Sequence, residues 1–154
     1  MQTHLLIDED LPIADPLAEW RWKLGGAAKV VALSRSGDAF VVQPGGQIQW
    51  LDTGAGEVQS VAGSQTEFEA LLDDPRESAR LLLASVVQEF ERRHGPFPPG
   101  TCLGFTKLPA LGGAYSIENR YRLSAAEHFG VTGDLHRQLR DLPDGAKVQI
   151  RVVE

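Results

Sequence analysis

Asp52, Thr53 and Gly54, inside the string Leu51-Asp52-Thr53-Gly54-Ala55, put a carboxylate and a hydroxyl on a tight turn between two apolar runs. Two such aspartates facing each other share one proton and can activate a water. One copy per chain means that the second would come from another copy of the chain. The same residues also read as a turn joining two strands, with the aspartate accepting hydrogen bonds from backbone N–H groups just ahead of it, and this is the reading adopted. Cys102 is the one thiol, and His4, His94, His128 and His136 are the bases that could activate it. A nucleophilic thiolate needs a helix N-terminus or a cation beside it. Cys102 instead lies within an apolar strand pattern, as a buried structural cysteine does. His128 and His136 are eight positions apart, more than two helical turns, so one ion could not bind both on a straight helix. No Cys-x-x-Cys and no His-Glu-x-x-His occurs. The pairs Gly45-Gly46 and Gly112-Gly113 lack the glycine pattern and the lysine of a phosphate cradle. No catalytic residue, metal or cofactor is expected.

Two groups of residues suit binding rather than catalysis. Glu118-Asn119-Arg120-Tyr121-Arg122 is a dense polar and aromatic run after a glycine turn. It reads as a solvated strand edge or as part of a protein-binding face, where arginine and tyrosine are enriched. Glu67, Glu69, Asp73 and Asp74 form an acidic set on a short helix and its exit. The candidate partner-binding residues are therefore Glu67, Glu69, Asp73, Asp74, Glu118, Asn119, Arg120 and Tyr121.

The elements that must position these groups follow from spacing. Asp15 caps and Pro16 opens a helix to Leu24 whose face carries Leu17, Trp20 and Leu24, with Gly25-Gly26 ending it. Trp22 lies off that face. Strands are predicted over 29–34, 38–43, 47–51 and 57–61. Pro44-Gly45-Gly46 fits a type II turn with Gly45 at its third position, which sets Phe40 and Val42 opposite Ile48 and Trp50. Ser64 and Glu67 have the spacing of a capping box. Asp74-Pro75 opens one long helix to Arg93, with Ala79, Leu82, Leu83, Val86, Val87 and Phe90 on its apolar face. A strand over 101–106, an ambiguous stretch over 116–123, a helix capped by Ser124 and weakened by Gly130 and Gly133, and a closing strand over 147–153 complete the chain. Strands precede helices, so the fold class is α+β, an antiparallel β-meander sheet with flanking helices.

The chain has 154 residues, 42% hydrophobic and 23% charged, which suits one globular domain over 1–154 with residues 1–13 as a short N-terminal extension. Fifteen basic against 21 acidic residues leave a net charge of −6, which argues against direct binding of nucleic acid and suits a basic protein partner. A lone cysteine excludes a disulfide scaffold. The N-terminus lacks the pattern of a signal peptide, no apolar run is long enough to span a membrane, and a cytoplasmic location is expected.

Four stretches carry a family resemblance: Glu19-Trp20-Arg21-Trp22; Gly37 to Val42 leading to Trp50 through Glu57; Phe68-Glu69-Ala70-Leu71-Leu72; and Leu103-Gly104-Phe105 with Pro109 to Gly113 and Ile117-Glu118-Asn119. In order and spacing they resemble the C-terminal domain of type VI secretion immunity proteins that neutralise a DNase effector, akin to the SMI/KNR-like immunity group. The resemblance runs from about Trp20 to about Leu139. It implies an α+β fold, no catalytic activity, and a toxin or effector partner of which a nuclease is one candidate. Longer members carry a further N-terminal domain. The string around Asp52 separately resembles the active-site motif of retroviral-type aspartic proteases, which implies a homodimeric protease, but those are nearly all β, and the helical pattern after Pro75 falls where their flap belongs. A regulatory or scaffolding domain without a toxin partner is the remaining alternative.

Overall fold

The computed structural model describes residues 3–142. The predicted strand over 147–153 lies outside the described residues. Five strands form one antiparallel sheet in chain order: β1 (Leu6–Ile7), β2 (Lys29–Ser34), β3 (Ala39–Val42), β4 (Ile48–Asp52) and β5 (Glu57–Ala62). A second antiparallel pair follows, β6 (Thr101–Phe105) and β7 (Arg120–Ser124). The helices are α1 (Arg21–Leu24), α2 (Gln65–Asp73), α3 (Pro75–Leu81), α4 (Ala84–His94) and α5 (Ala125–Leu139). The fold is α+β, with the strands of the meander preceding most of the helices.

Alternation along β3 explains why its apolar run is unbroken. Phe40 joins a core with Ile48, Phe68, Leu72, Leu82, Val87 and Leu103. Its neighbours Ala39 and Val41 join another with Trp20, Leu33, Leu51, Cys102 and Phe129. Successive side chains of a strand point to opposite faces, so the sheet is covered on both, by α2 and α4 on one and by α1 and α5 on the other. Opposite β4, Phe40 pairs with Trp50 and Val42 with Ile48, the register expected from the hairpin.

Several expectations change in detail. The helix expected over 15–24 is only a 3-10 turn, Ala18–Trp20, running into one turn of α1. Asp15 does receive the Leu17 N–H, at 3.1 Å, but it also pairs with Arg21 at 3.0 Å, which folds the segment back on itself. The hairpin turn has its positive φ at Gly46 (+92°) rather than Gly45, with Gly46 N–H donating to Gln43 O and Gln43 N–H to Gln47 O. That is a three-residue connection with its glycine in a bulge position, which matches strand twist better than a type II turn does. Near the N-terminus β1 pairs with the end of β2, and Leu5 is completely buried in the first core.

The predicted long helix is two. Leu83 adopts φ +47°, ψ +51°, which ends α3 and restarts the chain as α4. The break rotates the buried face, so Leu81, Leu82, Val87 and Phe90 are buried while Ala79 is exposed and Leu83 and Val86 are half-buried. Ser64 caps α2 by receiving the Glu67 N–H at 3.1 Å, and Ser124 caps α5. Gly130 and Gly133 do not interrupt α5. At Gly133 a Cβ would lie 2.6 Å from the Glu19 carbonyl oxygen, so glycine there lets the 3-10 turn dock on the helix. Trp22, half-buried, donates its Nε1–H to Gly133 O at 3.2 Å beside it. Among the described residues no helix is long and apolar enough to cross a membrane.

Candidate functional site

The densest set of polar side chains lies where the sheet, the β6–β7 pair and α5 meet. Asp38 is 3% exposed at the start of β3. Its Oδ2 accepts from Trp50 Nε1 at 3.0 Å, and its Oδ1 from Thr53 N at 3.2 Å and Thr53 Oγ1 at 3.4 Å. The single Thr53 O–H is shared with Gly37 O, the nearer acceptor at 2.7 Å. His128 of α5 reaches the same point, its Nε2 lying 2.8 Å from Gly37 O and 3.0 Å from Thr53 Oγ1. A carbonyl only accepts, so Nε2 carries the proton. One helical face further on, His136 Nε2 donates to Thr53 O at 2.8 Å. Two histidines from one helix thus clasp one threonine.

Arg120 enters from β7, 6% exposed, and donates to Gly104 O, Tyr115 O and Ser36 O while its guanidinium stacks 3.9 Å from the Phe105 ring centre. All of its named hydrogen bonds go to carbonyls. Burial and the nearby Asp52 charge push the Asp38 carboxyl up to about 7. Burial holds His128 down at about 4 and Arg120 at about 10.

Asp52 is the turn residue expected. Its Oδ1 accepts from Gly54 N at 3.0 Å and Ala55 N at 3.2 Å, and its Oδ2 from Tyr115 OH at 2.8 Å. Both oxygens are thus engaged inside the chain. Cys102 is completely buried, and burial raises its thiol far from the thiolate form. Its candidate bases lie elsewhere: His94 is exposed at the end of α4, and the ring nitrogens Nε2 of His128 and His136 are held by Gly37 and Thr53. Among the described residues no group of three or more histidines, cysteines or carboxylates could hold a metal ion.

The candidate contact residues separate into two places. Glu67, Glu69 and Asp73 are exposed on α2, outside the face that buries Phe68 and Leu72. Asp74 is exposed too, but its Oδ1 caps α3 by accepting from Arg76 N and Glu77 N. Glu118 and Tyr121 are exposed, Tyr121 at 46%. Asn119 braces the loop 106–119, giving Nδ2–H bonds to Lys107 O and Ala114 O and accepting from Lys107 N at 2.9 Å. Arg120 belongs to the buried set, because alternation along β7 turns it inward while Tyr121 turns out. It is not on a contact surface.

Sequence reasoning placed Asp38 at the start of the predicted strand 38–43 and gave it no role. The signal was present: a period of two puts Asp38 on the same face as Phe40 and Val42, the face set against Ile48 and Trp50. Thr53, His128 and Arg120 gave no such signal, since their side-chain partners, apart from Tyr115 O beside Arg120, are 15 to 91 positions away in the chain.

Residues 62–136 match the family model for the T6SS immunity protein Tdi1, C-terminal. The matched segment is slightly under half of the chain and runs from the end of β5 to His136, so it contains Arg120 and His128 but neither Asp38 nor Thr53. No curated protein matches the chain.

Proposed function

We propose that this protein is a type VI secretion immunity protein that neutralises a toxin effector by forming a stoichiometric complex with it, and that it has no catalytic role of its own. The observation that carries this reading is the family match over α2, α3, α4, β6, β7 and most of α5. The placement of the reactive groups supports it: Asp38, Asp52, His128 and His136 are engaged in bonds that hold the fold together, and Cys102 is buried. A nuclease effector, as in the DNase-immunity and SMI-like relatives, is the finer form of the proposal. The net charge of −6 supports a basic partner. Work in the bacterial cytoplasm, without direct contact to nucleic acid or membrane, belongs to the same reading.

The acidic side of α2 is the proposed contact face. Steering by charge acts mainly on the rate of encounter and weakens with salt. Asp74→Lys would remove a helix cap, and Glu67→Lys the capping-box bond from Gly63 N–H, as well as a charge, so the variant is Glu69→Lys with Asp73→Lys. Co-expression with the effector encoded beside this chain's gene should restore growth and yield a complex of fixed ratio. The double variant should associate several-fold more slowly at low salt and like the wild type at high salt. Equal on-rates in both salts would remove α2 from the interface. A wild-type chain that neither binds nor protects would overturn the immunity reading and leave a regulatory or scaffolding role.

A further inference from the structure

We propose that the outer edge of β5 is a docking site for an extended strand of the partner protein that carries lysine or arginine, and that this strand adds to the sheet. The proposal rests on the reading of this chain as a binding protein and names the chemistry that its partner presents. β5 is the last strand of the meander, and no described strand pairs with its outer side. Which backbone groups face that side follows from the register. Gln43 N–H donates to Gln47 O, and opposed residues of an antiparallel pair are hydrogen-bonded at every second position. Counting on from there, Gln49 and Leu51 bond to β3, so Trp50 and Asp52 turn their N–H and C=O groups toward β5, where they meet Gln59 and Glu57. Val58 and Ser60 alternate with these and turn theirs outward. Ser60 is exposed and Val58 half-buried.

Such an edge invites pairing, and proteins that avoid it shorten the strand or place lysine or proline on it. The opposite edge of the sheet has two of these guards: β1 is only Leu6–Ile7, and Lys29 stands on the part of β2 that β1 leaves open. From Val58 to Ala62, β5 has neither lysine nor proline, and its register shift, opposite Ile48 and Gln49, comes at the far end. The surroundings select the occupant. Residues 36–75, which include β3, β4, β5 and α2, contain no lysine or arginine. Glu57 is exposed at the start of β5, and Glu67 accepts the Gly63 N–H at 2.9 Å just past its end, with Glu69 and Asp73 exposed further along α2. A second copy of this chain would bring the same carboxylates to the same edge, and like charges across a strand pair are destabilising. A basic strand satisfies the open backbone groups and the carboxylates together.

Amide exchange would be followed by NMR in the full chain, alone and with the effector encoded beside its gene. Alone, Val58 and Ser60 should exchange far faster than Gln59, which bonds to β4. In the complex both should slow several-fold, and the effector should gain protection in one extended segment that carries lysine or arginine. Ser60→Pro removes an outward N–H and no bond to β4, a place where an edge strand tolerates proline. It should weaken the complex several-fold, while Ser60→Ala should bind like the wild type. Protection of Val58 and Ser60 in the free monomer would show the edge covered by the chain itself. Protection that rises with protein concentration, together with a dimer in sedimentation, would show it covered by a second copy. Either result overturns the proposal, as does an effector segment without basic residues. An effector that is bound and neutralised while Val58 and Ser60 stay unprotected overturns the edge and leaves the immunity reading standing, whereas failure to bind at all overturns both. Exchange in the wild type decides the matter even if Ser60→Pro does not fold.

Discussion

Both oxygens of Asp52 accept bonds from its own chain, and asparagine can keep the two backbone bonds through its amide oxygen. Asp52→Asn should therefore cost at most about 1–2 kcal/mol in urea denaturation and leave toxin neutralisation intact. Peptide cleavage at acidic pH that this substitution abolishes would revive a protease. Cys102 makes a second expectation at this scale. A completely buried thiol should not react with a disulfide reagent in the native protein and should react at once in denaturant. Both aspects were legible in the sequence, because a turn string and an apolar strand are local patterns. Asp38 was legible only through its position just before β3, and the clasp of His128 and His136 on Thr53 was not legible at all. Nothing local distinguishes a histidine that will meet a loop 75 positions away from one on a solvated helix face.

Helix α5 contains a controlled comparison between two glycines. A Cβ at Gly130 meets nothing within 4 Å, so Gly130→Ala should stabilise by up to about 1 kcal/mol through helix propensity. The same change at Gly133 drives the methyl into the Glu19 backbone, and overpacking of this kind costs about 1–3 kcal/mol. Thermal melts of the two variants should move in opposite directions. At the junction of α3 and α4, Leu82→Ala should cost about 2–5 kcal/mol, and Leu83→Ala less, since Leu82 is completely buried and Leu83 is only half so. Equal losses would return the pair to one continuous helix. Caps, turns and the meander could be read from the chain because each is a short-range pattern: Ser64, Asp74 and Ser124 all cap where expected. The break at Leu83 could not, because a leucine with positive φ leaves no mark in composition.

For the molecule as a whole, the buried titrating groups pull stability in opposite directions with pH. His128 is held at about 4 against an ordinary value of 6.5, so its contribution is complete above pH 6.5 and is lost as the pH falls toward 4. Asp38 is raised from 3.8 to about 7, so its contribution is complete below pH 3.8 and is lost as the pH rises to about 7. The urea midpoint should thus be flatter between pH 4 and 6.5 in the wild type than in either His128→Gln or Asp38→Asn. The midpoint should fall with rising pH in the first variant and climb in the second. This opposition has a counterpart in time, because Asp38 and Thr53 lie in the meander while Arg120 and His128 lie in the last third of the chain. During synthesis the sheet emerges first, its strands paired with their nearest neighbours in sequence. It then carries a half-covered carboxylate until β7 and α5 leave the ribosome. The first 62 residues made alone should accordingly bind chaperones or aggregate rather than fold, and the nascent chain gains its native protection from proteolysis in one late step, when α5 docks.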